Sequence, residues 1–164
     1  MKEPTSVGLG EYAISRNPED VLVAYGLGSC LGVSMIDPVN RIAGLLHAVL
    51  PEPSNGTTRL DANPYKYVDS GIEALLAGLI QEGAKPGRIV VRMAGGANML
   101  LAADMTRSFD IGTRNIVTAR ATLQRLRLSL SAEAVGGHTG RTVRVYVAEN
   151  RVTVKVIGDK EQAL

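Results

Sequence analysis

The tetrapeptide Asp37-Pro38-Val39-Asn40 stands between two apolar runs, "LGVSMI" and "RIAGLLHAVL", and restricts the fold more than any other stretch of the 164 residues. Asp followed by Pro fills the first two positions that a type I turn favours, so the runs are expected to fold back as an antiparallel hairpin. With the turn centred on Pro38-Val39, Asp37 faces Asn40, and counting outward from there sets Cys30 directly opposite His47. Opposed residues share one face of a sheet with Cβ atoms about 4.5–5.5 Å apart, close enough for a thiol to meet an imidazole. Cys30 is the only cysteine of the chain and His47 one of two histidines. The pairing requires an unbulged register, since one inserted residue turns a side chain to the other face.

The remaining pattern is strand-rich. "YAIS" and "VLVAYG" precede the hairpin as further strands. A helix is expected from Asn63-Pro64, a capping residue followed by a proline suited to a first turn, with Val68, Ile72, Leu75, Leu76 and Leu79 on one face and its end at "EGAKPG". "RIVVRMAGG" reads as a buried strand, and a second helix within 110–128 carries Ile116, Val117, Leu123 and Leu126 amid arginines. "TVRVYVAENRVTVKVI" alternates on both sides of Glu149-Asn150, which predicts a closing hairpin. The long polar stretch from Glu52 to Asn63 is a candidate mobile rim. Many strands with only two helices and no repeat predict an α+β fold in layers, and residues 1–164 are expected to form one domain. An apolar content of 45% over that length supports a core without a staple.

Several classes are disfavoured. A net charge of +2 and an aromatic set of one Phe and five Tyr give no footprint for nucleic acid. Apolar runs such as "EALLAGLI" fall far short of the roughly 20 residues that a membrane span needs, so no membrane insertion is expected. A lone cysteine cannot close an intramolecular disulfide and no charged-then-apolar leader opens the chain, which predicts a cytoplasmic location. Gly26-x-Gly28 fails as a dinucleotide fingerprint because Leu31 stands where the third glycine belongs, and "AGGANML" lacks the ending of a phosphate loop. Two histidines and one cysteine offer no metal cluster, so neither metal nor cofactor is expected.

A thiol beside an imidazole can form a thiolate–imidazolium pair, a nucleophile at neutral pH whose histidine then protonates a leaving group. Gly26, Gly28 and Ser29 let the chain turn before Cys30, leaving the N–H groups of Ser29 and Cys30 to hold an oxyanion. That combination describes acyl transfer. The plainer reading makes Cys30 a small buried hydrophobe and His47 a satisfied core residue. Gly28, with Gly136, Gly137 and Arg141 of "GGHTGR", would line a substrate; a turn before the last hairpin accounts for the latter motif as well. His138 reads as a loop residue, and Arg120, Arg125 and Arg127 as a solvated face.

In order along the chain, "GLGSC", "DPVNRIAGLLHAVLP", "RMAGGANML", "IGTRN" and "VGGHTGRTVRV" resemble the CheD chemoreceptor glutamine deamidases, and the resemblance runs from "GLGEYAISRNPEDVLVAYGLGSC" to "NRVTVKVI". It implies an α/β/β layered sandwich similar to that of glutamine-deamidating bacterial toxins. It puts Cys30 on the nucleophile and His47 on its partner, and it places a histidine-orienting threonine six residues before the cysteine, where this chain has Ala24. The implied reaction is hydrolysis of glutamine side-chain amides on methyl-accepting chemotaxis receptors, and the same acyl-enzyme route would serve glutamyl methyl esters. The implied partners are the receptors' cytoplasmic helices and a CheC-type phosphatase. Two other readings stand beside it. One is a non-catalytic module of the same fold that docks on receptors or on a CheC-type protein, favoured by Ala24. The other is a cysteine peptidase, for which the sequence specifies no cleft.

Overall fold

The computed structural model describes residues 2–52, 63–99 and 110–164. In chain order the described elements are β1 (Thr5–Ser6), β2 (Glu11–Ser15), β3 (Val21–Leu27), β4 (Leu31–Asp37), β5 (Ile42–Ala48), α1 (Val68–Gln81), β6 (Val90–Gly95), α2 (Ile111–Arg125), β7 (Leu130–Val135), β8 (Arg141–Tyr146), β9 (Arg151–Val156) and β10 (Glu161–Ala163). They build two five-stranded sheets, one in the order β1-β3-β8-β9-β10 and the other β2-β5-β4-β6-β7. The fold is α+β.

Period-2 alternation in β4 and β5 sorts their side chains into two cores. Leu31, Val33, Met35, Ile42, Leu46 and Ala48 pack with Val68, Ile72, Leu75 and Leu79 of α1 and Ile116, Ala119 and Leu123 of α2. Ile36, Ala43 and Leu45 point the other way, against Leu22, Ala24, Leu27, Val143 and Val145 of the first sheet. Helices, second sheet and first sheet therefore form three layers, with β4 and β5 buried on both faces. That double burial explains why both strands read as continuous apolar runs.

The two hairpins were expected to close with two-residue turns, and both use four. Asp37 pairs with Ile42 and Gly32 with His47, so the β4–β5 register is shifted by two residues from the expected one. The cause is local. Asp37 Oδ1 accepts the N–H groups of Val39 at 3.0 Å and Asn40 at 3.2 Å, and Arg41 takes a left-handed φ of 54°. Likewise Tyr146 pairs with Arg151, and the turn between them ends on left-handed Asn150.

Asn63 caps as expected, its side chain accepting the N–H of Tyr65 at 3.0 Å, but Pro64–Lys66 is a 3₁₀ turn and the α-helix proper starts at Val68. Val117 was placed on the buried face of the second helix; it is 61% exposed, and Asn115 and Thr122 take part in that face instead. Strand β7, parallel to β6, was not anticipated. The proposed rim from Glu52 to Asn63 lies outside the described residues except at its two ends. Among the described residues no helix is long and apolar enough to cross a membrane.

Candidate functional site

Cys30 sits in the bend between β3 and β4, half-buried and packed against the core between the sheets. His47, 3% exposed, lies near the end of β5 at a position of the same parity as Ala43 and Leu45, which face that core. The residue opposite His47 is Gly32, which has no side chain, and Cys30 lies two positions further back along the chain. A register shift of two leaves strand side chains on their original faces, and Cys30, outside the ladder, packs against the same inter-sheet core, but it does not pair directly with His47.

The His47 ring is fixed by the main chain. Its Nδ1 hydrogen-bonds to the Val7 carbonyl at 2.9 Å, and because a carbonyl only accepts, Nδ1 carries the proton. Nε2 is left as the lone-pair nitrogen, buried and without a hydrogen-bond partner among the described residues. Burial pushes the His47 pKa below its ordinary value, against the opposing effects of the Val7 carbonyl and the charge of Glu11. Burial also pushes the Cys30 thiol up, its own backbone N–H pulling the other way. Both shifts run toward the uncharged forms, a neutral thiol and a neutral imidazole. Two low-dielectric surroundings disfavour both charges.

The bend carrying Cys30 is held by its carbonyls. Gly28 O accepts from Ala97 N–H at 2.8 Å, Cys30 O from Gly96 N–H at 2.9 Å, and Ser29 O from Asn115 Nδ2 at 2.8 Å. The N–H groups of Ser29 and Cys30 donate to no other described residue. Gly95 has φ 110°, and a Cβ there would stand 2.3 Å from Cys30 O, so the bend can rest on β6 only where no side chain exists.

Asn115 was not anticipated as a support of the Cys30 bend. It is fully buried, and the same Nδ2 also donates to Val49 O at 3.1 Å, tying the Cys30 bend to the end of the His47 strand. A polar residue in the apolar stripe Gly112, Asn115, Ile116, Ala119 was the available signal. Gly136 and Arg141 gather on the same support, since Gly95 O accepts Gly136 N–H at 3.0 Å and an Arg141 guanidinium N–H at 3.1 Å. Gly137 O accepts Asn98 N–H, and exposed His138 bonds Asn98 O at 2.8 Å through Nδ1. Ala24 is fully buried in the inter-sheet core, paired with Val143. The main chain of Val7, which carried no signal in the sequence, takes the ring nitrogen. Arg120 and Arg125 pair with Glu133 and Glu73 on the surface. Among the described residues no group of three or more metal-ligating side chains occurs.

These features define an α/β/β sandwich protein that presents one cysteine and one tautomer-locked histidine at the edge of its inter-sheet core. The family model for CheD chemotactic sensory transduction matches residues 49–156. A probable chemoreceptor glutamine deamidase CheD of Symbiobacterium thermophilum is 45% identical over 97% of this chain and 96% of its own length. Relatives bearing the same description in Pyrococcus abyssi and Caldanaerobacter subterraneus are 39% and 36% identical over 96% and 93% of this chain and 95% and 92% of theirs. A crystal structure of a Neisseria meningitidis DUF152 protein overlaps with a TM-score of 0.45 at 10% identity, over 82% of this chain and 63% of that one. The chain belongs to the CheD family.

Proposed function

We propose that this chain hydrolyses glutamine side-chain amides of chemotaxis receptors to glutamates, with Cys30 as nucleophile and His47 as general base and then acid. The observation that carries it is the His47 ring: Nδ1–H is spent on Val7 O, and the Nε2 lone pair is buried with no hydrogen-bond partner among the described residues. The reaction class follows the description of its relatives. Nε2 takes the thiol proton as sulfur adds to the amide carbon, and the N–H groups of Ser29 and Cys30 hold the oxyanion. The carbon–nitrogen bond then breaks, ammonia leaving with the proton from His47. Water, deprotonated by His47, cleaves the thioester, and the proton returns to sulfur. Gly28, Gly136, Gly137 and Arg141 line the approach. Glutamyl methyl esters fit the same route with methanol as leaving group. Receptor cytoplasmic helices and a CheC-type phosphatase are the partners on this reading.

The test is mass spectrometry of receptor cytoplasmic domains incubated with the wild type, Cys30→Ser and His47→Asn. Wild type converts glutamine to glutamate; Cys30→Ser abolishes conversion, and His47→Asn reduces it about 10²–10⁴-fold. Conversion by Cys30→Ser near the wild-type rate ends the assignment. Receptor binding without conversion by the wild type would instead favour the docking module that Ala24 suggests.

A further inference from the structure

We infer that Glu11 is the positioning residue for His47, acting through the peptide group between Val7 and Gly8. That one peptide faces both ways. Its carbonyl accepts His47 Nδ1–H at 2.9 Å, and its N–H donates to Glu11 Oε1 at 2.7 Å. A carboxylate on an amide N–H draws the amide's electrons toward oxygen and makes the carbonyl a stronger acceptor, because hydrogen bonds in series polarise one another. The charge of Glu11 thus reaches the imidazole through a polarised amide as well as through space, with no hydrogen bond or ion pair between the two side chains.

The surrounding backbone is built for this relay. Glu11 pairs with His47 across β2 and β5, Gly10 N–H donates to His47 O at 2.9 Å, and Glu11 N–H donates to Gly8 O at 3.0 Å. Val7 is fixed from its other side by N–H donation to Val23 O at 2.7 Å. A Cβ on residue 8 would come within 2.9 Å of Glu11 Oε1, so glycine there lets the carboxylate approach the peptide. Three influences act on the His47 ring: burial, the Val7 carbonyl, and the charge of Glu11, the one charge among them. Glu11 offsets part of what burial costs the imidazolium that forms when His47 takes the thiol proton. The catalytic part of the inference rests on the deamidase reading above; the part concerning the ring itself does not.

Nuclear magnetic resonance of the full chain labelled with ¹⁵N-histidine tests it at low ionic strength, because Glu11 is exposed and salt screens its charge. Only two histidines contribute, and His138, bonded to Asn98 O, is the internal reference. Wild-type His47 should be a single Nδ1–H tautomer. Glu11→Gln keeps an oxygen for Gly8 N–H but removes the charge, so the tautomer should persist while the His47 titration and the acid limb of kcat/KM both move to lower pH. Glu11→Ala removes both, so His47 should populate both tautomers and kcat should fall about 10–100-fold with KM nearly unchanged. An unchanged His47 tautomer and titration in Glu11→Ala overturns the inference. Should that variant fail to fold, an unmoved titration in Glu11→Gln overturns it alone. If the wild type converts no receptor glutamine, the deamidase reading fails while the resonance data still decide the role of Glu11.

Discussion

At the scale of single residues, burial works against charge on both Cys30 and His47. Cys30 and His47, the proposed nucleophile and base, stand out in the sequence because cysteine and histidine are scarce there and the two lie at hairpin spacing. Their protonation was not legible, because it depends on how deeply each is buried. Ala24 lacks the hydroxyl that would hold the His47 ring, which leaves a backbone carbonyl or water as the expected holder, and the Val7 carbonyl takes that place. A threonine at this fully buried position would have to fit a packed core, so its usual consequence is overpacking. These two shifts have a measurable signature. With the thiol pKa raised, iodoacetamide should alkylate Cys30 more slowly at neutral pH than it does a free cysteine, accelerating only above the ordinary thiol range. With the His47 pKa lowered, the neutral base should persist somewhat below its ordinary pKa of about 6.5, and kcat/KM should fall only under that value. The same depression makes folding stability complete above the unfolded pKa and erodes it as pH falls toward the folded one. Fast alkylation at pH 7 that disappears in His47→Ala would instead demonstrate a standing ion pair.

At the scale of elements, the hairpin was visible and its register was not. Asp37 and Pro38 announce a turn, but what lengthens it is Asp37 accepting two successive N–H groups while Arg41 goes left-handed, a conformation usually left to glycine or asparagine. The error was two residues, one full period of a strand, and so the face on which Cys30 and His47 lie was unaffected. Strand β7 stayed hidden because its "LSAEAV" is short-chained and only partly buried, a weak period-2 signal. The second helix was found with one wrong member of its buried face, Val117, because the polar Asn115 looked like a surface residue. Asn115 joins three elements, α2, the Cys30 bend and the chain leaving β5, through a single amide nitrogen. Asn115→Ala leaves two carbonyls unpaired and should cost about 1–3 kcal/mol on thermal unfolding, with a lower kcat as the bend loosens. Asn115→Asp should be worse than alanine, since an acceptor-only carboxylate then meets two carbonyl oxygens. Equal stability of the aspartate variant and the wild type would show that these bonds do not hold the bend.

At the scale of the whole molecule, layering and composition were legible because a strand buried on both faces and one buried on a single face carry different patterns. The order of strands was not, since it is set by which edges meet after the layers stack, and the two sheets interleave strands from both ends of the chain. The resulting architecture predicts where rigidity resides. Every residue of β4 and β5 is buried, between helices on one side and the first sheet on the other, and β4 is flanked by paired strands on both edges. Strand β10 is a three-residue edge with every position exposed. Opening β4 or β5 requires breaking both cores at once, whereas β10 can fray alone, so native-state amide exchange should be slowest across 31–37 and 42–48 and fastest across 161–163. Because Cys30 immediately precedes β4 and His47 belongs to β5, the two residues proposed to react hang from the strands expected to be the most protected. Exchange in β4 and β5 should then track global unfolding as denaturant rises. Exchange there through an opening well below the global unfolding free energy would mean that the sandwich loosens locally at the site, and that its geometry is fixed by substrate instead of by the fold.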